Sequence, residues 1–244
     1  MNSIYAIDVK GFPQNDEIFS LKPLLSGEKR NQIDKYVKME DKYRCIIGEL
    51  LLQYSLWNYC DYKFSGIKLS YNEYGKPRLY DMRTYNIHFN ISHSANWVVC
   101  AIFNKPVGID VEYIDCLSNN SDIARRFFAD IENDYIFKHS QISQTDAFYK
   151  LWTLKESYIK CMGKGLSIPL NSFSVILTED RISLCQKNKI DYSCSFISRK
   201  IADDIYLGLC VSDYEEQISC NNMIYITIQQ ILDWGNCRMG IYAQ

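Results

Sequence analysis

Apolar side chains recur at close to the helical period in three stretches of the chain, which predicts three long helices. The first stretch covers residues 39–59, where the repeating apolar positions are Tyr43, Ile47, Leu50, Leu51, Tyr54 and Trp57. The second covers residues 121–139 and the third residues 146–162. Gly163 and Gly165 follow the third stretch and are expected to end that helix, because glycine readily adopts the backbone conformation of a helix terminus.

Shorter segments rich in β-branched and aromatic residues predict strands between and after these helices. The predicted strands are residues 67–71, 87–92, 97–103, 107–112, 173–177, 194–198, 205–212 and 223–228. Each half of the chain therefore holds strands and at least one substantial helix, which predicts an α+β protein of two similar lobes. We place the boundary between residues 1–110 and 111–244, although no stretch of linker composition marks it.

Composition and charge narrow the class of protein. The chain has 244 residues, is 47% hydrophobic and 23% charged, and carries a net charge of −2, which is ordinary for a globular protein and lacks the basic character of a general nucleic-acid or membrane-surface binder. Its ten cysteines are scattered without a Cys-x-x-Cys pair, so we expect reduced thiols, many of them buried. The start of the chain lacks the pattern of a signal peptide, and no apolar run reaches the roughly 20 residues of a membrane helix. We expect a cytoplasmic protein.

Acidic residues on one predicted strand and one predicted helix indicate a site for a metal ion and a phosphate. In the strand Val107-Gly-Ile-Asp-Val-Glu112, Asp110 and Glu112 are two residues apart and should project from the same face. On the third helix, Trp152, Glu156 and Lys160 are spaced one turn apart and should also share a face. Carboxylate oxygens from two elements suit a hard cation such as Mg²⁺, which completes its shell with water and substrate phosphate.

Taken singly, these residues have simpler interpretations. Acids at the end of a strand are most often exposed surface residues. Glu156 and Lys160 could form an exposed ion pair worth only about 0.3–0.5 kcal/mol. Trp152 would usually belong to the core, and His93 could be a hydrogen-bonded structural histidine. Only their combination with further motifs favours a functional site.

Several further motifs follow one another along the chain. They are Gly27-Glu-Lys-Arg30, Met39-Glu-Asp-Lys-Tyr-Arg44, Tyr74-Gly-Lys-Pro77, Phe89-Asn-Ile-Ser-His-Ser94, Gly108-Ile-Asp-Val-Glu112, Arg126-Phe-Phe128, Leu151-Trp-Thr-Leu-Lys-Glu-Ser-Tyr-Ile-Lys160 and Gly163-Lys-Gly-Leu166. In this order they resemble the 4'-phosphopantetheinyl transferases, specifically the larger, two-lobed, surfactin-type group. The resemblance covers most of the chain. It implies two lobes related by a pseudo-twofold axis, each a small, mainly antiparallel sheet packed with a long helix, in a monomer.

The resemblance also implies an activity. Enzymes of this family move the phosphopantetheine arm of coenzyme A onto a serine of a peptidyl or acyl carrier protein and release adenosine 3',5'-bisphosphate. By resemblance, Asp110, Glu112 and Glu156 would hold Mg²⁺ against the pyrophosphate, although Mn²⁺ suits the same ligands. Lys160 would contact the phosphate on the leaving side. Glu156 is the first choice for the base that accepts the serine proton and Glu132 the second.

The remaining motifs are assigned to the coenzyme A end of the site. By resemblance, the 3'-phosphate is contacted by Lys29, Arg44 and His93. The pocket for the adenosine and pyrophosphate would be lined by Ser92 and the turn of Gly75, Lys76 and Pro77. The lobe 1–110 would thus hold the nucleotide, and the lobe 111–244 the metal and the catalytic helix. One position departs from the family: relatives often carry a second lysine three residues after Lys29, where this chain has Gln32.

The acceptor side and two other activities stay open. The carrier protein is expected to dock near residues 113–145, where Arg125 and Arg126 could steer an acidic partner and Leu117, Phe127 and Phe128 could contact it. A Mg²⁺-dependent phosphoesterase that acts on a nucleotide would use the same acids with water as the nucleophile. An inactive coenzyme A binding module would need fewer of them.

Overall fold

The helices and strands of the chain are seen in a computed structural model, which describes residues 2–10, 17–60, 67–80, 86–116, 119–138, 144–213 and 223–242. The helices are α1 Glu17–Ser20, α2 Gly27–Ile33, α3 Met39–Cys60, α4 Asn120–Phe127, α5 Asp130–Lys138, α6 Gln144–Met162 and α7 Ile228–Tyr242, with short 3-10 turns at Lys22–Leu24, Gly165–Ser167 and Leu170–Ser172. The strands are β1 Ser3–Asp8, β2 Leu69–Tyr71, β3 Pro77–Leu79, β4 His88–Ser94, β5 Trp97–Phe103, β6 Val107–Tyr113, β7 Ser174–Leu177, β8 Ile182–Gln186, β9 Lys189–Asp191, β10 Ser195–Ala202, β11 Ile205–Val211 and β12 Met223–Ile226.

The chain divides into two compact units. The first comprises Met1–Ser70, Pro77–Asn104 and Asn221–Gln244, and the second comprises Tyr71–Lys76 and Lys105–Cys220. This division differs from the predicted one at residues 110/111, which would have cut β6 in two. It differs also because β12 runs parallel to β1 and hydrogen-bonds to it, so the end of the chain belongs with its beginning.

The first unit is built on a four-stranded sheet in the order β12-β1-β5-β4. β5 lies antiparallel to both β1 and β4, so the sheet is mainly antiparallel, as predicted. Helix α3 packs on this sheet, and of its six predicted apolar positions Ile47, Leu50 and Leu51 are fully buried. Tyr43, Tyr54 and Trp57 are only partly buried, and residues 45–52 are all buried, so the helix has a wider buried surface than the predicted face.

A helix closes the first unit where the sequence predicted only a strand. The predicted strand 223–228 ends at Ile226, and α7 begins at Ile228. Thr227 and Gln230 form the start of this helix: the Thr227 hydroxyl accepts from the amide of Gln230, and the Gln230 side chain accepts from the amide of Thr227. This capping box satisfies two amides that the first turn leaves without helical partners.

The second unit contains the antiparallel sheet β10-β11-β6, with helix α6 packed against β6 and β11. Two glycines allow the helix backbone to approach the sheet. A Cβ atom at Gly108 would lie 2.0 Å from the Ser157 carbonyl oxygen, and one at Gly208 would lie 2.4 Å from that of Thr153. Gly208 pairs with Asp110 in the β11–β6 register, so these close approaches bring α6 directly over the acidic strand.

The predicted helix over residues 121–139 is two helices, and residue 139 lies outside the described residues. The break falls at Phe128, whose backbone is extended (φ −97°, ψ 159°). The second helix, α5, begins at Asp130. In its first turn the Glu132 carboxylate accepts from the amide of Ala129, the residue before the helix, as a glutamate in a capping box does. This unit also contains a three-stranded antiparallel sheet of β7, β8 and β9. Of these strands the sequence predicted only β7.

The structure describes nine of the ten cysteines. The nine cysteines in the described part of the chain are free thiols, and five of them are buried: Cys45, Cys100, Cys161, Cys194 and Cys210. Among the described residues, no helix is long and apolar enough to cross a membrane.

Candidate active site

The acidic strand β6 places its two carboxylates at different depths. Asp110 is only 3% exposed, whereas Glu112 is partly exposed nearer the end of the strand. Because side chains alternate along a strand, Asp110 and Glu112 project from the same face, as predicted. β6 therefore presents one buried and one accessible carboxylate side by side.

Helix α6 presents its functional face as the sequence predicted. Within residues 151–160, only Trp152, Glu156 and Lys160 are partly exposed, and the other seven residues are buried. Trp152 stacks on Phe148 with ring centroids 5.7 Å apart, so it is packed by the helix on one side. The four-residue spacing thus yields a narrow accessible stripe on an otherwise buried helix.

The strand and the helix meet through three charged side chains. The Lys160 ammonium donates to Oδ1 of Asp110 at 2.5 Å, and the two side chains are 28% and 4% exposed. Burial raises the pKa of Glu156, the nearby charge of Asp110 raises it further, and Lys160 lowers it. Asp110, Glu156 and Lys160 therefore form one electrostatic cluster in which two acids share a single cation.

Glu132, the second choice for the base, lies in a packed interior. Both its side chain and that of Lys155 are 0% exposed, and the Lys155 ammonium donates to both carboxylate oxygens at 2.7 Å. The same oxygens accept from the amides of Ala129 and Val175. This environment opposes the predicted role, because a base needs an oxygen that a water or hydroxyl can reach.

Lys76 is held by backbone carbonyls. Its ammonium donates to the carbonyl oxygens of Val107 (2.9 Å), Lys160 (2.6 Å) and Cys161 (3.2 Å). Gly75 precedes it with φ at +85°, the left-handed conformation that the turn requires. Pro77 begins β3 and is partly exposed.

In the first unit, Arg44 and His93 lie around one acid. The Arg44 guanidinium donates to Asp41 Oδ1 at 2.6 Å and to the Ala95 carbonyl at 3.0 Å. The hydrogen bond from Arg44 lowers the pKa of Asp41, and His93 contributes to this shift. Ser92 is buried in β4, and His93 is exposed beside it. Asp41 is thus within electrostatic range of both Arg44 and His93.

Lys29 lies on α2, three residues before Gln32 on the same helix. Its ammonium donates to Oε1 of Gln32 at 3.0 Å. Ser26 is the N-cap of this helix. Its hydroxyl accepts from the amide of Lys29 and donates to the buried carboxylate of Glu49. Gln32 therefore supplies an acceptor to Lys29.

Sequence reasoning missed three residues of these surroundings. Asp41 could have been found from its spacing of three residues from Arg44, which places the two on one helix face. Lys155 lies among buried residues of α6, and a lysine in such a position requires a buried partner. Asn72, which donates to the Gly163 carbonyl, had no comparable signal.

Carboxylates on a strand beside a glutamate and a lysine on the helix packed against it are groups that suit a phosphate-containing substrate. Family comparison defines the class of protein. The model of the 4'-phosphopantetheinyl transferase superfamily matches residues 106–210, and that of the 4'-phosphopantetheinyl transferase N-terminal region matches residues 12–104. The chain belongs to the 4'-phosphopantetheinyl transferase superfamily and is an enzyme of that class.

Individual relatives agree with this membership. The chain is 44% identical over 167 residues to 4'-phosphopantetheinyl transferase gsp of Aneurinibacillus migulanus, covering 68% of this chain and 67% of the relative. It is 42% identical over 156 residues to 4'-phosphopantetheinyl transferase Sfp of Bacillus subtilis (strain 168), covering 64% and 68%. Similarity to psf-1 of Bacillus pumilus is lower, at 29%, but extends over 91% of this chain and 97% of that protein.

Proposed function

We propose that this chain transfers the 4'-phosphopantetheine arm of coenzyme A to a serine of an apo carrier protein and releases adenosine 3',5'-bisphosphate. The observation that carries the proposal is the cluster of Asp110, Glu156 and Lys160, in a chain that belongs to the transferase superfamily. Phosphoryl transfer depends mostly on positioning and charge stabilisation, and this cluster offers both in a partly buried setting.

Carboxylates of the kind that a divalent cation prefers lie on β6 and α6. Asp110, Glu112 and Glu156 would hold Mg²⁺, or Mn²⁺, through carboxylate oxygens, and the repulsion that raises the pKa of Glu156 is the kind of charge that a cation offsets. The described residues contain no ready-made group of three acid, histidine or cysteine side chains spaced for a metal, so substrate phosphate and water would complete the shell. Such an ion, when bound, neutralises charge that grows on the transferred phosphoryl group.

The protein side chains have separate roles in this proposal. Lys160 can leave Asp110 for a phosphate oxygen, since its ammonium is already at the edge of the cluster and partly exposed. Glu156 accepts the proton of the attacking serine, because its carboxylate lies on the partly exposed stripe of α6 beside Lys160. We favour Glu156 over Glu132 for this step because Glu132 is fully enclosed with Lys155.

The cations of the first unit are proposed to hold the nucleotide end. Arg44 offers a planar guanidinium that can bind a phosphate through two hydrogen bonds, and Lys29 and His93 add further donors. Ser92, in the same unit, is also assigned to coenzyme A, whereas the Lys76 ammonium is bonded to backbone carbonyls of the second unit. Gln32 provides no charge, so we assign no contact with the 3'-phosphate to it.

Carrier docking is proposed along residues 113–145, of which 117–118 and 139–143, including Leu117, lie outside the described residues. Arg125 lies 5.0 Å above the ring of Phe137, and Arg126 lies 5.2 Å above that of Phe127, so both guanidinium groups cover aromatic side chains. Phe127 is 41% exposed, in contrast to its buried neighbour Phe128. This combination of exposed aromatic surface and cations suits an acidic carrier.

The proposed transfer is tested by intact mass spectrometry of an apo carrier protein incubated with this chain and coenzyme A, with Mg²⁺ in one arm and EDTA in the other. A mass gain of one phosphopantetheine arm in the Mg²⁺ arm alone is the expected result. Hydrolysis of coenzyme A without carrier modification would indicate the phosphoesterase instead. Binding without either reaction, across peptide, polyketide and fatty-acid carriers, would indicate the inactive module.

Replacing Arg44 by alanine is expected to raise the KM for coenzyme A by about 10-fold to 100-fold, the loss of a charge-assisted hydrogen bond, with a much smaller change in kcat. Arg181→Ala is the matched control, since Arg181 is exposed in the turn between β7 and β8. Steady-state kinetics at saturating carrier protein gives both constants. An unchanged KM would remove Arg44 from the nucleotide site.

A further inference from the structure

The turn between β2 and β3 is held in shape by its own first residue. The Asn72 side chain accepts from the amides of Tyr74 (3.0 Å) and Lys76 (2.7 Å). The Asn72 amide donates to the Lys76 carbonyl, and the Gly75 amide donates back to the Asn72 carbonyl, both at 3.0 Å. Asparagine stabilises turns through such local bonds, so Lys76 leaves the turn in a fixed direction.

The Lys76 side chain, held in this direction, caps the C-terminal end of helix α6. The last carbonyls of a helix have no helical partner, and a cation there also interacts favourably with the helix dipole. The Lys76 ammonium donates to the carbonyls of Lys160 and Cys161, in the last turn of α6, and to that of Val107, the first residue of β6. An ammonium has three donor hydrogens, so these three carbonyls match its capacity.

Asn72 holds the same helix end by a second contact. Its side-chain nitrogen donates to the Gly163 carbonyl at 2.6 Å, at the residue where α6 stops with φ at +69°. A Cβ atom at Gly163 would lie 3.0 Å from Lys76 Cδ and 3.1 Å from Asn72 Nδ2, so both side chains lie directly against this backbone. The turn therefore contacts α6 through two side chains at once.

We propose that Asn72 and Lys76 are positioning residues that fix the end of α6 against the start of β6, and thereby set the distance between the Lys160 ammonium and Asp110. Val107 lies three residues before Asp110, and the captured carbonyl of Lys160 belongs to the residue whose side chain reaches Asp110. The inference rests on the proposed function, because it gives Lys160 its catalytic value. In this account the Lys76 ammonium bonds to backbone carbonyls, whereas the resemblance implied that Lys76 contacts coenzyme A.

Kinetics of Asn72→Ala and Lys76→Met separate the two roles of this turn. If the residues position Lys160, each variant should lower kcat by about tenfold to a hundredfold, the range expected for a displacement on the order of 1 Å at a reacting group. The KM for coenzyme A should change by less than about threefold, because neither variant removes a ligand contact in this account. Lys189→Met, an exposed lysine on the hairpin of the same unit, is the matched control.

The double variant adds a second criterion. Residues that act on one element are not additive, so Asn72→Ala combined with Lys76→Met should lower kcat by much less than the product of the single effects. Amide hydrogen exchange should also speed up at Gly163, whose amide bonds to the carbonyls of Ile159 and Lys160. If Lys76→Met fails to fold, the kcat and KM of Asn72→Ala decide the matter.

Three outcomes would overturn the inference. They are a rise in the KM for coenzyme A at unchanged kcat in Lys76→Met, a wild-type kcat in Asn72→Ala, and full multiplicativity in the double variant. The first would restore Lys76 as a direct phosphate contact. These results are distinct from failure of the proposed function, which would appear as an absence of carrier modification by the unaltered protein.

Discussion

Replacement of Glu156 by glutamine is expected to lower kcat/KM for carrier modification by about a thousandfold or more, the cost of removing a group that stabilises charge in the transition state. Glutamine keeps the size of the side chain and removes only its charge and basicity. The folded protein already disfavours this charge, since burial and Asp110 both raise the pKa of Glu156. The variant should therefore fold at least as stably as the wild type at neutral pH.

A loss of activity at unchanged stability would show that Glu156 acts in the transfer reaction and is not needed for folding. Single-turnover transfer, followed by mass spectrometry of the carrier, measures the chemical step, and urea denaturation measures the free energy of unfolding. Glu179→Gln, at an exposed position between β7 and β8, is the control and should match the wild type in both. A Glu156→Gln enzyme that turns over at near the wild-type rate would refute both the metal and the base assignment.

The part of this site that the sequence predicted is the part set by local periodicity. The four-residue spacing of Trp152, Glu156 and Lys160 put them on one helix face, and the partly exposed stripe on α6 confirms it. Strand β5 was predicted at its observed ends, Trp97–Phe103, because its apolar run lies between clear turn signals. Such patterns need no knowledge of distant neighbours.

Features that depend on contacts between distant parts of the chain were not predicted. Lys76 lies 84 residues before Lys160 in the sequence, and no pattern around it indicates that it will bond to backbone carbonyls. Strand β12, from the last part of the sequence, pairs in parallel with β1, from the first part. A single boundary at residues 110/111 therefore does not describe the two units. In contrast, α7 was missed although Thr227 and Gln230 form a capping box that the sequence contains.

Glu132 illustrates how a position assigned by resemblance can have a different environment from the one expected. The sequence shows an acid in the middle of the predicted helix 121–139, and nothing local indicates that Lys155, 23 residues later, will be buried with it. In the structure this pair joins three elements, since Lys155 on α6 also donates to the Phe173 carbonyl and Glu132 on α5 accepts from the amide of Val175 on β7.

Lys155→Met is expected to lower the free energy of unfolding by about 3–5 kcal/mol, because it leaves the Glu132 carboxylate buried without its cation. Adding Glu132→Gln to this variant should recover much of the loss, since a neutral side chain has a far smaller desolvation cost. Lys200→Met is the matched control: it breaks an exposed ion pair with Asp146, which should be worth at most about 1 kcal/mol.

The pH dependence of Lys155→Met has a defined sign. Burial already raises the pKa of Glu132, with Lys155 acting to lower it, so the loss of Lys155 should raise this pKa further. A folded-state pKa above the unfolded value means that the folded protein is favoured by protonation. The stability deficit of Lys155→Met relative to the wild type should therefore be largest at about pH 8 and shrink towards about pH 5, as Glu132 takes up a proton.

Transfer kinetics of Glu132→Gln then decide between the two candidate bases. If Glu132 is structural, Glu132→Gln should lower the free energy of unfolding, because it leaves the Lys155 ammonium buried without its partner. Any loss of activity should then come from unfolding. Activity should return at low temperature, where the variant is folded, or in the double variant with Lys155→Met. If Glu132 is the base, transfer should stay lost in a fully folded protein, as in Glu156→Gln. The buried, fully hydrogen-bonded carboxylate favours the first result.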